Sequence, residues 1–71
     1  MNIDLLESLF DYHKPDDSQV DAMEHIRSMA KFLAVAINNE VPESADKSAA
    51  IRLLRQCVQS ANAGIVLNGA V

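Results

Sequence analysis

The stretch DDSQVDAMEHIRSMAKFLAVAINNEVPES, residues 16–44, decides the fold. Asp16 with Gln19 three residues on matches a capping box. Asp17 adds negative charge where a helix dipole favours it. Val20, Met23, Ile26, Ala30, Leu33 and Ile37 then recur at steps of three and four, the period of one helix face. A second line of Ala22, Met29, Phe32 and Ala36 runs beside it. The pattern predicts one helix over about residues 17–40, ending near Asn38-Asn39-Glu40 ahead of Pro42. From Ser18 to Asn39 it would span about 33 Å.

The same logic extends in both directions. Downstream, Ser44 is a candidate N-cap with Asp46 in the first turn. Ala50, Leu54, Cys57, Ala61 and Gly64 share a stripe that Ile51, Leu53, Val58 and Ile65 broaden. This predicts a helix over about 44–67, stopped by Asn68-Gly69. The link from Glu40 to Glu43 is short, so these two helices should form an antiparallel hairpin. Upstream, Ile3, Leu6 and Phe10 fall on one face, widened by Leu5 and Leu9, and predict a short helix over 3–10. Eight residues cannot hold a helix alone in water, so this one must dock on something. Asp11 to Pro15 forms a connector, extended at Lys14 because a proline follows it.

The fold class is therefore all-α: a short N-terminal helix plus an antiparallel two-helix hairpin, one domain over 1–71. The 71-residue chain is small enough for its own core to give thin stability. With one cysteine it has no intrachain disulfide, and one Cys with two His gives no metal-ligand spacing. Neither a metal nor a cofactor is expected. Small residues crowd the apolar stripes at Ala30, Ala34, Ala36, Ala49, Ala50, Ala61, Ala63 and Gly64, leaving surface that a two-helix hairpin does not cover. The expectation is a compact homo-oligomer. A hydrophobic content of 49% is too high for a disordered tail, and no apolar run is long enough for a membrane span. The N-terminus carries no basic signal-peptide region, and a free cysteine suits a reducing cytosol. A net charge of −4 argues against long DNA or RNA as a partner, though not against a small anion held by a few local cations.

Catalytic signals are weak: there is no Gly-rich phosphate loop and no spacing that suggests a nucleophile, base and acid. Cys57 reads as a buried small hydrophobe, His25 as a solvated or interface histidine, and Asp16-Asp17 as capping. The more suggestive group is Tyr12, His13, Lys14, Arg27 and Lys31. Arg27 and Lys31 are four apart and project from one face. A ring for base stacking plus paired cations for phosphate is what a nucleotide needs. Spacing alone favours the plainer account, a solvated face with ion pairs to Asp21 or Glu24. For Arg52 and Arg55 the solvated account is stronger still. Asn62, between Ala61 and Ala63, is a buried polar lock before it is a ligand contact.

Two stretches carry a family resemblance. One is Asp11-Tyr12-His13-Lys14-Pro15, followed by a capped helix with Ile26-Arg27. The other is Val41-Pro42-Glu43-Ser44 leading to Ser48-Ala49-Ala50-Ile51-x-x-Leu54, then Ser60-Ala61-Asn62-Ala63-Gly64-Ile65. Together they cover nearly the whole chain, which resembles the bacteriophage anti-CBASS cyclic-nucleotide sponges and the helical hairpin these share with anti-Thoeris sponges. The resemblance implies no catalysis. It implies a homohexamer that binds cGAMP-like cyclic dinucleotides in pockets shared between protomers, in the cytoplasm of the infected host. Sequestration would lower the free messenger and silence the host effector. By the same resemblance Tyr12 matches a connector aromatic that stacks on a base. Arg27 matches a basic residue facing the phosphates, and Asn62 an alanine-flanked asparagine. His13, Lys14 and Lys31 are added as physical neighbours. Some members hold cyclic trinucleotides near a threefold axis. Here Gln59 and Ser60 replace an aromatic before the Ala-Asn-Ala run, and Val66, Leu67 and Asn68 stand where an arginine is frequent, which puts that second activity in doubt. The alternative is a small acidic helical oligomer that inhibits a host protein through its acid-rich stretch from Asp4 to Glu24.

Overall fold

A computed structural model describes residues 2–68, which form three helices and, among the described residues, no strand. Helix α1 is Ile3–Phe10, α2 is Asp17–Glu40 and α3 is Ala45–Val66. Each starts at a side chain that satisfies orphan N–H groups of the first turn. Asn2 accepts from the Asp4 N–H at 2.8 Å, and Ser44 Oγ accepts from the Lys47 N–H at 3.1 Å. Asp16 and Gln19 complete the reciprocal capping box: Asp16 Oδ1 accepts from the Gln19 N–H at 2.8 Å, and Gln19 Oε1 from the Asp16 N–H at 3.0 Å. At the far end Asn68 takes a left-handed φ of 52° just past α3. Gly69, the other half of the expected stop, lies outside the described residues.

Helices α2 and α3 lie side by side, and two hydrogen bonds set their direction. Gln19 Nε2 at the start of α2 donates to the Ile65 carbonyl near the end of α3, at 3.0 Å. Lys47 Nζ at the start of α3 donates to the Asn38 carbonyl near the end of α2, at 2.9 Å. The pair therefore runs antiparallel. The least exposed positions form a seam: Met23, Ile26, Ala30, Ala34 and Ile37 on α2 face Lys47, Ile51, Leu54, Val58, Ala61 and Ile65 on α3. Steps of three and four on both helices, with alanines opposite larger aliphatics, suit close antiparallel packing.

The seam differs in detail from the stripes read in the sequence. Leu33 and Val20 are exposed, and Ala34 sits on the seam instead. Cys57 is exposed, not a buried small hydrophobe. It lies between Leu54 and Val58, which take the seam positions. Gly64 has open space around it, so no close helix approach within the chain depends on it.

Two facts stand out about what the chain leaves uncovered. No hydrophobic residue among those described is buried; the one buried residue is Lys47. Helix α1 packs on neither α2 nor α3, so among the described residues it has no helix to dock on. Phe10 is 85% exposed and Phe32 82% exposed, with Ile3, Met29, Val35 and Leu53 more than half exposed.

Candidate functional site

The site begins with the seam. Because α2 and α3 are held at both ends, their flanks form a groove of about 370 Å³. Its half-buried members are Ala30 and Ala34 from α2 and Ile51, Leu54 and Val58 from α3. Its exposed members are Arg27 and Lys31 from α2 and Arg55 and Gln59 from α3. The result is an apolar floor with cations beside it, and no acidic residue lines it.

Arg27 and Lys31 thus share one groove, as their four-residue spacing suggested. The ion pairs to Asp21 or Glu24 that would have explained them are not formed: among the described residues the salt bridge present is Lys47 with Glu43, at 2.7 Å. Two like charges one turn apart cost a helix a few tenths of a kcal/mol, an arrangement that an anion would reverse.

Arg55, which the sequence alone places on a solvated face, lines the same groove. The missing signal was register. Pairing 19 with 65 and 38 with 47 places residue 55 opposite 29 and 30, between the two cations of α2. Spacing within one helix cannot show this.

The connector residues lie elsewhere. Tyr12, His13 and Lys14 precede the Asp16 cap, and Arg27 sits about 16 Å further along α2. None of the three lines the groove. Tyr12 is 86% exposed, a ring face free to stack. His13 is half-buried, and its Nε2 donates to the Ser8 carbonyl at 2.6 Å, which ties the connector back onto α1 and commits that nitrogen. Lys14 is exposed. Within one chain the aromatic and the paired cations therefore stand apart.

Asn62 is half-buried next to the seam, and its Oδ1 is buried with no hydrogen-bond partner in the chain. The expected lock is not closed at that atom within one protomer. A second concavity, about 610 Å³, lies along the outer face of α2 beside Phe32, Val35 and Ala36. Among the described residues no group of three or more His, Cys, Asp or Glu is placed to hold a metal. No helix there is long and apolar enough to cross a membrane.

The Gln19 N–H, then the Ser18 hydroxyl, hold the Asp16 carboxyl below the usual carboxylate value. That serves the cap and not the groove. Among families of known proteins, the model described as "Acb2/Tad1, hairpin domain" matches residues 1–66. No curated protein and no solved structure matches the chain.

Proposed function

The chain belongs to the Acb2/Tad1 hairpin-domain family, the anti-CBASS and anti-Thoeris sponges, and from that premise we propose that it sequesters cyclic dinucleotide messengers without turning them over. The observation that carries this is the family match over residues 1–66, nearly the whole chain. In this role a phage lowers the free messenger in the host cytoplasm, and CBASS-type signalling stays silent. Tyr12 stacks on a base, Arg27 and Lys31 hold phosphate, and His13 and Lys14 flank the ring. No catalytic step and no cofactor are assigned.

The geometry supports this in two ways. First, Arg27 and Lys31 are unpaired cations over an apolar floor on an acidic protein. Charge-assisted contacts to phosphate are the strong kind, and such contacts with stacking can approach the ~12 kcal/mol of a nanomolar complex. Second, the half-sites are apart in one protomer, while α1, Phe32 and Met29 leave apolar surface open. Association of several copies, a hexamer in this proposal, covers that surface and brings a Tyr12 of one chain to the cations of another.

Titration calorimetry of the purified protein with a panel of cyclic dinucleotides tests this. Binding of at least one of them below micromolar concentration is the expected result, with a matching rise in melting temperature by mass action. No binding to any member of the panel overturns it. A host protein recovered in stoichiometric amount with no nucleotide bound would favour the acidic-face inhibitor instead.

A further inference from the structure

We infer that Arg55 is the third cation of a two-phosphate site in the α2–α3 groove, working with Arg27 and Lys31. This rests on the sponge assignment for the identity of the ligand, but the residue itself comes from the geometry. The chain has six Lys and Arg against ten Asp and Glu, so cations are the scarce charge. Three of the six, Arg27, Lys31 and Arg55, line one groove from two helices, with no acid among its lining residues and, among the described residues, no salt bridge to any of them. Carboxylates on neighbouring faces, Glu40 beside Lys31 and Glu43 beside Arg55, line other concavities, so within this groove like charges are gathered that an anion would relieve.

The three cations also differ in what they supply. Lys31 is a point charge, whereas Arg27 and Arg55 carry planar forks that bind phosphate oxygens in pairs. Arg55 approaches from α3, across the seam from the other two. One phosphate is satisfied by the α2 pair; a second, a few ångströms away on a compact ring, is what a cation on the opposite wall can reach. The apolar floor of Ala30, Ala34 and Leu54 accepts the uncharged body of the ligand. Arg55 is thus a specificity residue: it favours a ligand with two phosphates over one with a single phosphate.

The test compares Arg55→Ala, Arg55→Lys and Arg52→Ala with the natural chain. Arg52 is on the same helix but does not line this groove, so its loss removes equal net charge from outside the site. The probes are 3′,3′-cyclic GMP–AMP, cyclic AMP and inorganic pyrophosphate, each titrated at several salt concentrations. Arg55→Ala should weaken cyclic GMP–AMP binding roughly ten- to a hundred-fold. Cyclic AMP binding should change less than about three-fold, and Arg52→Ala should change either ligand by no more than that. The dependence of affinity on salt should become shallower in Arg55→Ala only. Equal effects of Arg55→Ala and Arg52→Ala overturn the inference. If Arg55→Ala does not assemble as the natural chain does, Arg55→Lys decides: a several-fold loss supports a planar fork on phosphate, and full affinity overturns it. If the natural chain binds no cyclic nucleotide, the sponge assignment fails. Pyrophosphate then decides the site: binding lost in Arg55→Ala sustains it, and no binding to the natural chain overturns it.

Discussion

Replacing Lys47 by methionine should lower stability more than any change to its ion-pair partner. Lys47 is the one buried residue among those described, 8% exposed, at the corner where α2 hands over to α3. Its Nζ donates to the Asn38 carbonyl at 2.9 Å and to Glu43 Oε1 at 2.7 Å. Asn38 belongs to the last turn of α2, whose carbonyls have no partner further along the helix. The Ile37 carbonyl is taken by the Val41 N–H; that of Asn38 is taken by Lys47, a cation at the negative end of the dipole. A hydrogen bond from a charged donor contributes about 1.5–3 kcal/mol. Glu43 is 90% exposed on its side chain, so its ion pair adds only about 0–1 kcal/mol. Methionine keeps the apolar stem, and removing the charge relieves its desolvation, so Lys47→Met should cost about 1–2 kcal/mol net. For a chain of this size that is a drop of very roughly 5–15 °C in melting temperature. Glu43→Gln should stay within about 0.5 kcal/mol of the natural chain. Thermal unfolding followed by circular dichroism, at one fixed protein concentration, measures both. A Lys47→Met protein that melts with the natural chain would refute the reasoning, as would a Glu43→Gln protein that loses as much as Lys47→Met.

Four further outcomes are expected. Tyr12→Ala should weaken cyclic dinucleotide binding by roughly 1–3 kcal/mol in calorimetry and leave the ligand-free melting temperature in place, since the ring is 86% exposed. Phe32→Asp should reduce the mass seen by light scattering, because a charge on an 82% exposed phenylalanine is harmless only if nothing covers that face. Asn62→Ala should also shift the mass toward smaller species if its unpartnered Oδ1 accepts a bond from a neighbouring copy, and unchanged mass would make that oxygen irrelevant to assembly. The Asp16 carboxyl is held below its ordinary 3.8 by the Gln19 N–H and the Ser18 hydroxyl, so its stabilising effect is complete above that value and lost as pH falls through the lower folded value. An acid titration of helicity should therefore show a loss below pH 3.8 that is absent in Asp16→Asn.

Much of the fold was legible because it is written in local chemistry. Asp16 with Gln19, and Ser44 before Lys47, satisfy first-turn N–H groups by contacts within three residues, and each marked its helix start in the sequence. What the sequence could not show depends on two helices at once. Leu33 and Ala34 both fit a helical stripe, and the choice between them comes from where α3 lies. Lys47 is the same case: a lysine in a helix's first turn is ordinary until a carbonyl from another helix meets it. Arg55 is hidden for the same reason: its neighbours in the groove, Arg27 and Lys31, are on the other helix.

Native mass spectrometry of the intact protein with 3′,3′-cyclic GMP–AMP puts the central claim to the most direct test, because it reads assembly and ligand in one spectrum. The expected result is a closed multimer, with six copies the expected number, carrying whole-number additions of the dinucleotide mass. A single 7.8 kDa chain with no nucleotide attached, under conditions where it stays helical, would contradict it.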